Sequence, residues 1–499
     1  MSAKDFLLAL DQGTSSSRAF VFDRYADVLS VAQQPTTQFF PHAGWVNQDP
    51  DEIWRTTVDV GREALTKAGI GAHQVAAIGI ANQRETLVVW DAATGRPVAP
   101  AIVWQSRQSQ PQVDSLSARG MTSRYHAVTG LVPDAYFTAT KIAWLLENDQ
   151  TLRARAEAGE LRAGTVDSWL IWNLTGGIHA TDPSNASRTM LYDIVSGEWS
   201  AELLADLRVP VSMLPAVVPS TDVVGTTLPE LFGAAIPIAG VAGDQQAALF
   251  GQACFSPGDA KNTYGTGSFL LMNTGTKPRP SSHQLLTTIA WQIDRHMEYA
   301  LEGAVYVSGA AVQWLRDGLG ILSSAADIES LARSVPDSEG VMFVPALTGL
   351  GAPHWDPSAR GVILGLTRGS TAAHLARATL DAIALQTRDV TDAMSSDAHL
   401  DMSSLRVDGG AARNDLLLQI QADVLGVPVV RPRNIETTAL GAAYLAGLGS
   451  GLWSSTDELK VKWQIDRVFE PGISRDERDA RYATWQRAVE RSFDWATGT

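Results

Sequence analysis

The sequence predicts an α/β protein built from two large domains of related design. Its 499 residues supply material for two cores, because domains mostly contain about 50–250 residues. Each half of the chain carries a hairpin-like segment in which an apolar strand, a turn rich in Gly, Thr and Ser, and a second apolar strand follow one another. Two hairpins of one design indicate an internal duplication.

Composition and charge exclude several classes of protein. A hydrophobic content of 45% with 19% charged residues is typical of a soluble globular enzyme. The net charge of −15 argues against a nucleic-acid partner, and the single cysteine, Cys254, excludes an intrachain disulfide and a cysteine-based metal cluster. The first apolar run is too short for a signal peptide, and no later run approaches a membrane span, so we expect a cytoplasmic protein without membrane insertion.

The first hairpin is predicted from apolar runs at Phe6–Leu10 and Ala19–Asp23. The polar turn between them can present backbone N–H groups and hydroxyls to a phosphate, with Arg18 nearby to offset its charge. Asp11, at the end of the first strand, could hold Mg²⁺ directly or through water. For this segment taken alone, the alternative is a hairpin whose Ser-rich turn is solvent-exposed and binds no ligand.

A helix and a strand follow. Asp49 as N-cap, with proline at the first helical position, predicts a helix that continues to about Lys67. The next strand, at Val75–Ala81, ends shortly before Arg84 and Glu85. That pair combines several donors with an acceptor and suits a ligand with several hydroxyls, although a surface ion pair is the alternative.

The segment from residue 104 to residue 172 adds aromatic residues and further helices. Trp104 and Tyr136 are of the kind that flank the carbon face of a small polyol, with a core position as the alternative. The pattern predicts helices over Thr138–Asn148 and over the charged segment Arg153–Arg162, then a strand at Gly164 that runs into a helix.

The central stretch lies almost at the midpoint of the chain. Ile236–Val241 predicts a buried strand, and Gln245–Phe250 predicts the first turns of a helix. Asp244 falls at the junction, where an aspartate can cap the free N–H groups of the helix. Gly240 and Gly243 leave room for a ligand or another backbone to come close. An ordinary N-cap is the alternative for this stretch, and we place the division between the domains just after it.

The second half repeats the design and adds glycine-opened helices. The predicted elements are a second hairpin around the Gly-Thr-Gly-Ser turn, a strand at Tyr299–Ser308 that leads into a helix at Gly309, a helix over Ser370–Met394, a strand from Leu405 that passes through Gly409-Gly410 into a helix at Asp415–Leu425, and a last helix marked by Tyr482, Trp485, Val489 and Phe493. The Gly-Gly turn would let a nucleotide lie against the backbone.

Familiar nucleotide and metal motifs are missing from the sequence. It contains neither GxxxxGK[ST] nor GxGxxG, and no two of its nine histidines have HExxH spacing. Phosphate binding, if present, must therefore rely on the two hairpins.

The order of motifs resembles the actin/Hsp70/sugar-kinase superfamily. DQGTSSSR (11–18), GDQQAALFGQ (243–252), NTYGTGSF (262–269) and VDGGAARN (407–414) carry this resemblance. Residues 344–369 resemble the signature of the FGGY carbohydrate kinases within that superfamily. ANQRET, GWVNQDP, TVDSWLIW, TDPSNASRTML and ALEGAVYVSGAAVQWLRD are similar to the members that act on glycerol, and the resemblance runs from about Phe6 to Arg487.

The resemblance implies two ribonuclease-H-like domains of the actin-like ATPase kind, with the active site in the cleft between them. Residues 1–252 would form the side that binds the polyol and carries the first phosphate hairpin. Residues 253–499 would form the side that binds adenosine. Relatives form dimers or tetramers, so we expect a homodimer or homotetramer.

The implied reaction is ATP-dependent phosphorylation of glycerol to sn-glycerol 3-phosphate with Mg²⁺, by in-line transfer with Asp244 as general base. The implied polyol-binding residues are Arg84, Glu85, Tyr136, Asp244 and Gln245, with Trp104 and Phe269 against the carbon face. The implied nucleotide residues are Thr14, Ser15, Ser16, Arg18 and Thr266 for the phosphates, and Gly309, Gln313, Gly410 and Asn414 for adenosine. Asp11 and Asp244 would organise Mg²⁺.

Two alternatives remain at this point. The first is another FGGY kinase that acts on erythritol, xylulose or a similar substrate, because specificity depends on the shape of the pocket. The second is an ATP-driven binding switch of the chaperone or actin type. Only about 85 residues follow Asn414, too few for an added peptide-binding domain, and this alternative leaves Asp244, Arg84 and Glu85 without a role.

Overall fold

The computed structural model describes residues 4–496 of the chain. The strands, in chain order, are β1 (Phe6–Gln12), β2 (Ser16–Asp23), β3 (Val28–Pro35), β4 (Asn47–Gln48), β5 (Val75–Asn82), β6 (Val88–Asp91), β7 (Ala101–Ile102), β8 (Leu161–Gly164), β9 (Ala180–Thr181), β10 (Tyr192–Asp193), β11 (Glu198–Trp199), β12 (Ala216–Val217), β13 (Gly225–Thr226), β14 (Pro237–Gly243), β15 (Ala260–Tyr264), β16 (Ser268–Gly275), β17 (Leu286–Ile293), β18 (His296–Val305), β19 (Met342–Val344), β20 (Val362–Leu364), β21 (Leu405–Asp408), β22 (Val429–Pro432) and β23 (Ile465–Phe469).

The α-helices cover these sheets and connect their strands. They are α1 (Pro50–Ala68), α2 (Gln110–Ala118), α3 (Thr122–Thr129), α4 (Thr138–Asn148), α5 (Gln150–Glu157), α6 (Val166–Thr175), α7 (Pro183–Ala186), α8 (Ala201–Asp206), α9 (Pro229–Phe232), α10 (Asp244–Gly251), α11 (Gly309–Asp317), α12 (Asp327–Ala332), α13 (Ala372–Ala398), α14 (Asp415–Leu425), α15 (Thr437–Gly449), α16 (Thr456–Lys462) and α17 (Arg475–Val489).

Two mixed sheets that share the order of six strands organise the molecule, and the second sheet has β17 as an additional edge strand. The first sheet has the order β13-β14-β5-β1-β2-β3, and the second has the order β17-β18-β16-β15-β21-β22-β23. In the first, β1, β2 and β3 form an antiparallel meander, and β1 also pairs in parallel with β5, which pairs in parallel with β14. In the second, β15, β16 and β18 form the meander, and β15, β21 and β22 are parallel. This repeat confirms the predicted fold of two related α/β domains.

The first long helix forms where its caps predict it. Asp49 accepts a hydrogen bond from Asp51 N at 3.0 Å, and Pro50 is the first helical residue. Gly69, in a left-handed conformation with φ 69°, ends α1. Ile53 and Val60 on the inner face of α1 are fully buried against the first sheet.

The predicted helix over Arg153–Arg162 is partly wrong. Asp149 accepts hydrogen bonds from the backbone N–H groups of residues 151 and 152, so α5 begins earlier, at Gln150. Gly159, at φ +77°, reverses the chain, and the last residues of the predicted helix enter β8, which pairs with β6. The last helix, α17, likewise ends at Val489, before Phe493.

One helix of the second half packs on the first sheet. The helix α15 follows β22 in the chain, yet it lies against β5, β14 and α10. A Cβ at Gly240 would lie 2.4 Å from Ala446 N, and a Cβ at Gly441 would lie 1.8 Å from Ala247 O. The room predicted at Gly240 is therefore filled by another backbone, that of α15. Within residues 4–496, none of the helices has the length and apolar character that crossing a membrane requires.

Candidate active site between the two sheets

The site begins at one edge of the first sheet. Gln12 of β1 pairs with Asn82 of β5, and Asn82 pairs with Gly243 of β14, so the three parallel strands end side by side. The carboxyl ends of parallel strands are the usual place for a ligand in α/β proteins. This register brings together Asp11, Arg84, Glu85 and Asp244, four of the predicted site residues.

Arg84 is the centre of a buried network that joins the two halves of the chain. Its side chain is only 2% exposed, and its Nη1 and Nη2 donate to the two carboxylate oxygens of Glu302, at 2.5 and 2.9 Å. Its Nε lies 3.3 Å from Asp244 Oδ1 and 3.7 Å from Glu85 Oε1. Burial acts to lower the pKa of Arg84, but the carboxylates of Glu302 and Glu85 outweigh it and raise that pKa.

Arg188 completes the network and was missed by sequence reasoning. Its Nε donates to Glu85 Oε1 at 2.6 Å, and its Nη2 donates to Glu302 Oε1 at 3.1 Å. Burial would raise the pKa of Glu302, but Arg188 and Arg84 lower it to about 2. Two arginines and two glutamates thus neutralise one another, the arrangement that buried charges need.

A signal for the missed residues was present in the sequence. Arg188 lies within TDPSNASRTML and Glu302 within ALEGAVYVSGAAVQWLRD, two of the segments that carry the family resemblance. Charged residues are rarely fully buried without partners, so the glutamate within the apolar run ALEGAVYV indicates an ion pair, whereas the polar segment around Arg188 gives no such signal. The identity of each partner depends on contacts more than 100 positions apart in the chain.

The alternative that Asp244 is an ordinary N-cap is wrong. Gly243 is the N-cap of α10 and Asp244 is the first helical residue, because β14 continues through Gly243. The Asp244 carboxylate accepts a hydrogen bond from Gln245 N at 2.7 Å and faces Arg84, and its side chain is 30% exposed. Burial raises the pKa of Asp244, while Arg84 and Lys261 act to lower it. The carboxylate is thus both oriented and accessible.

Lys261 links Gln245 to the second sheet. From β15, its Nζ donates to Gln245 Oε1, to Thr263 Oγ1 at 2.8 Å and to the backbone oxygen of Phe269 at 3.3 Å. Burial lowers the pKa of Lys261 to about 8, against the opposing charges of Asp408 and Asp244. Sequence reasoning did not select Lys261, although it precedes the NTYGTGSF motif directly. Through it, the structure brings Gln245 and Phe269 together.

Two predicted aromatic residues form one wall near the first hairpin. The rings of Trp104 and Tyr136 meet edge to face, with centroids 5.4 Å apart. Trp104 Nε1 donates to Thr14 Oγ1 at 2.8 Å, which ties this wall to the turn of the hairpin. The Tyr136 ring also lies 5.8 Å from the Arg188 guanidinium. The aromatic pair therefore borders both the polyol residues and the phosphate residues predicted for the first half.

The first hairpin carries charge at its end. Asp11 and Arg18 are opposite each other in the register of β1 and β2, and their side chains form an ion pair. Arg18 Nη1 lies 2.6 Å from Glu436 Oε2, so this arginine also contacts the second half of the chain. Thr14 is partly exposed, Ser15 is exposed and Ser16 is partly exposed. These hydroxyls are accessible to a ligand beside Arg18.

The two aspartates suit Mg²⁺ bound together with phosphates. The negative charge of Asp11 raises the pKa of Asp244, so the two carboxylates act on each other. Mg²⁺ commonly takes one or two carboxylates and completes its shell with phosphate oxygens and water. A group of three or more histidine, cysteine or acidic ligands is absent from the described part of the chain, and such a closed site is not what Mg²⁺ with ATP requires.

The second hairpin presents backbone instead of charge. Thr266, in the turn, is exposed, and its carbonyl accepts hydrogen bonds from Ser308 N and Ala310 N, both at 3.0 Å. Gly309 N donates to Gly265 O at 3.0 Å, and a Cβ at Gly309 would lie 2.5 Å from that oxygen. The close approach fixes the start of α11 against the hairpin, with Gln313 exposed further along the helix.

The Gly-Gly turn lies on the other side of this hairpin. Gly409 has φ +84°, and a Cβ there would lie 2.4 Å from Tyr264 O. Gly410 is exposed, and within residues 4–496 no atom would lie within 4 Å of a Cβ at that position. Asn414 Oδ1 caps α14 by accepting a hydrogen bond from Leu417 N at 2.9 Å. The structure thus groups Thr266, Gly309 and Gly410 around one turn, as an open surface of backbone.

Comparison with known proteins identifies the family of the chain. The N-terminal domain of the FGGY family of carbohydrate kinases matches residues 6–251, and the C-terminal domain of that family matches residues 260–450. A glycerol kinase of Aromatoleum aromaticum is 59% identical over 491 residues, which is 98% of this chain and 99% of that protein. A glycerol kinase of Bordetella parapertussis is 56% identical over 501 residues, 99% of each chain.

Solved structures show the same fold over nearly the whole chain. The crystal structure of Plasmodium falciparum glycerol kinase with ADP matches with a TM-score of 0.92 and 34% identity, covering 98% of both chains. A gluconate kinase from Lactobacillus acidophilus shares the fold with a TM-score of 0.86 at 21% identity, covering 98% of this chain and 96% of that one. This chain belongs to the FGGY family of carbohydrate kinases.

Proposed function

We propose that this protein phosphorylates glycerol at the expense of ATP and forms sn-glycerol 3-phosphate. The observation that carries the proposal is the cluster of Arg84, Glu85 and Asp244 at the edge of the first sheet, with Arg84 Nε 3.3 Å from Asp244 Oδ1. Relatives that are 56–59% identical over nearly their full length and are named glycerol kinases support this substrate.

Asp244 is the proposed general base. Phosphoryl transfer needs a positioned nucleophile and stabilisation of charge more than covalent help from the protein. The Asp244 carboxylate is partly exposed and is held by Arg84 and by Gln245 N, so it can receive the proton of the attacking hydroxyl. Burial raises its pKa toward the working pH, which favours proton abstraction while the residue stays ionised.

The neighbouring residues are proposed to hold the polyol. Arg84 donates hydrogen bonds and the Glu85 carboxylate accepts them, so together they can satisfy adjacent hydroxyls. Tyr136 and Gln245 are proposed to add a further contact each, and Trp104 and Phe269 to cover the carbon face. Arg188 and Glu302, which are fully buried, fix the orientation of Glu85 and Arg84.

ATP is proposed to lie between the two hairpins. The proposed phosphate contacts are Thr14, Ser15, Ser16 and Arg18 from the first hairpin and Thr266 from the second. The proposed adenosine contacts are Gly309, Gln313, Gly410 and Asn414, on the backbone surface around the second hairpin. Asp11 and Asp244 would hold Mg²⁺, which neutralises charge on the phosphates when bound. Closure of the cleft would exclude water, the competing nucleophile.

The two halves of the chain are proposed to bind different parts of the substrates. Residues 1–252 would bind the polyol and the phosphates, and residues 253–499 would bind adenosine, with α15 packed across the division. We also propose a cytoplasmic homodimer or homotetramer; analytical ultracentrifugation of the purified chain tests the assembly, and a monomer at micromolar concentration would contradict it.

The test is ADP release from Mg-ATP with a panel of acceptors and a control without acceptor. We expect rapid turnover with glycerol and little with ribitol, xylulose or erythritol. A preference for another polyol would keep the fold and the base but assign the chain to a different kinase reaction. ADP release that does not depend on an acceptor would contradict the proposed transfer and indicate an ATP-driven switch.

A further inference from the structure

A cavity of about 270 Å³ lies outside the cleft, at a second junction between the two halves. One wall is the turn after β2, Tyr25–Val28. The opposite wall is formed by Pro432–Asn434 and Lys462–Gln464, at the end of the antiparallel pair where β22 stops and β23 begins, and Tyr444 of α15 also lines the cavity. Its volume is close to the lower end of small-molecule sites, roughly 300–1,000 Å³.

The cavity lining is cationic. Arg433 is exposed, and Lys462 is held at the cavity by a hydrogen bond from its Nζ to Arg24 O at 3.1 Å. Asp27, which is exposed, is the one carboxylate among the lining residues. Lys462 Nζ lies 3.8 Å from Glu458 Oε1, whereas Arg433, whose Nη1 donates to Gln464 Oε1 at 3.0 Å, forms no ion pair within residues 4–496. The unpaired charge of Arg433 favours an anionic ligand.

Three donors on the lining side chains have no partner. Asn434 Nδ2, Tyr444 Oη and Trp463 Nε1 are shielded from solvent, and each finds no hydrogen-bond partner within residues 4–496. The described chain has fifteen such atoms, and three of them belong to the twelve residues that line this cavity. An unsatisfied buried polar group costs roughly 1–3 kcal/mol, so such a cluster calls for a ligand that accepts hydrogen bonds.

We infer that this cavity binds a phosphate group, either as inorganic phosphate or as part of a small phosphate monoester. A tetrahedral phosphate offers acceptors in several directions, which matches donors on three different segments better than the two oxygens of a carboxylate do. Arg433 and Lys462 supply the opposite charge for it. The aromatic side chains of Tyr25 and Trp463 give an apolar surface for the organic part of an ester.

The cavity wall is linked to the first hairpin through a short series of contacts. Asn434 Oδ1 accepts a hydrogen bond from Glu436 N at 3.0 Å, and Glu436 pairs with Arg18, which pairs with Asp11. The amide nitrogen of the same Asn434 side chain is one of the three unpartnered donors. A phosphate bound here therefore contacts Asn434, which is linked to Arg18 through Glu436, and it does so without occupying the cleft.

The test is calorimetric titration of the full-length protein with inorganic phosphate and, separately, with glycerol 2-phosphate. A saturating non-hydrolysable Mg-ATP analogue and glycerol are present, so that all three nucleotide phosphate positions and the polyol position in the cleft are filled. The test variants are Arg433→Gln and Trp463→Phe, and the latter removes the indole N–H but keeps an aromatic ring. Lys277→Gln, which removes an exposed cation elsewhere, is the matched control.

We expect one phosphate-binding event in the wild type, weakened about tenfold or more in both test variants and unchanged in the control. Tighter binding of glycerol 2-phosphate than of inorganic phosphate would identify a monoester as the ligand, and the reverse would identify the free ion. The inference is overturned if neither probe binds at millimolar concentration, or if both test variants bind like the wild type while their thermal unfolding is unchanged. The two variants test the cavity outside the cleft, so their result does not depend on which polyol the cleft accepts.

Discussion

The two hairpins share one backbone design but end in different chemistry. In the first, the next-to-last pair of the ladder is Asp11 with Arg18, a buried acid against a base. In the second, the equivalent pair is Thr263 with Phe269, which carries no charge. Six strands of each sheet follow the same order, and the second sheet adds only β17 at its outer edge, so the difference at the cleft lies in the side chains that each sheet places there.

This difference shows how two domains of one fold can provide surfaces with different functions. Charge is concentrated where the parallel strands of the first sheet end, at Asp11, Arg84, Glu85 and Asp244. The equivalent edge of the second sheet carries glycines around the turn at Thr266, and its acidic residue, Asp408, is buried and accepts hydrogen bonds from Gln252 and Thr437. The first surface suits reacting groups that change charge, and the second suits a ligand part that needs close contact with backbone.

The comparison is tested most strongly at Asp244. Asp244→Asn should lower turnover about 10²–10⁴-fold, because the amide cannot take the proton of the attacking hydroxyl. Steady-state kinetics with glycerol and Mg-ATP measures the loss. Asp222→Asn, the same exchange at an exposed position, is the control and should keep wild-type turnover. If the turnover of Asp244→Asn is near that of the control, the first sheet does not supply the general base.

Arg84 tests whether charge on the first sheet binds the polyol. Arg84→Ala should raise the KM for glycerol by about 10–100-fold, the loss expected for hydrogen bonds that involve a charged group. It also leaves Glu302 with one arginine fewer in a buried position, so thermal unfolding should be measured alongside. Arg84→Lys, which keeps the charge but not the paired donors, is the matched variant. An unchanged KM for glycerol in a folded Arg84→Ala protein would contradict the assignment.

A direct comparison of the two hairpins uses one substitution in each. Arg18→Gln should lower kcat/KM for ATP about 10–100-fold, because a charged donor to the phosphates is lost. Thr266→Val should lower it less than about tenfold, since a neutral hydroxyl contributes a weaker hydrogen bond. Both are measured at saturating glycerol. Equal losses in the two variants would mean that the hairpins contribute alike and that the contrast in their charge has no kinetic meaning.

The smallest expected effect is on the pH profile. Burial raises the pKa of Asp244, so its carboxylate takes up a proton at a higher pH than an exposed aspartate does. Activity that needs the ionised base is complete above this raised pKa and falls as the pH decreases through it. The acidic limb of kcat/KM for glycerol should therefore lie above the usual pKa of an aspartate, which is about 3.9. A limb at or below the usual value would show that burial does not tune this group.

Local sequence signals predicted much of the fold and the positions of several residues of the candidate site. The cap at Asp49 placed α1, because a cap acts on the backbone within three residues of itself. The residues Arg84, Glu85 and Asp244 could be chosen because each follows a strand that was visible as an apolar run. Local signals failed at Arg153–Arg162, where a capping aspartate and a glycine moved the helix toward the N-terminus.

Contacts between distant parts of the chain were beyond those signals. The pairing of Arg84 with Glu302 spans 218 positions, and that of Arg188 with Glu85 spans 103. The family resemblance covered these segments but assigned no role to Arg188, Glu302 or Lys261. Their function as partners follows from folding, because each is buried and only the assembled sheets decide which charges meet. The functions of the individual site residues stay predictions, and the variants above test them.

The position of α15 has a consequence for how the molecule unfolds. Because Gly240 and Gly441 allow the backbone of α15 to touch that of β14 and α10, the first sheet lacks a complete core without a helix encoded nearly 200 residues later. A fragment that ends at residue 252 would expose the apolar face that Leu440 and Ala443 cover, and we expect it to be insoluble when produced alone. The two halves should melt together in one cooperative transition, so the boundary seen in the sequence is not a boundary of stability.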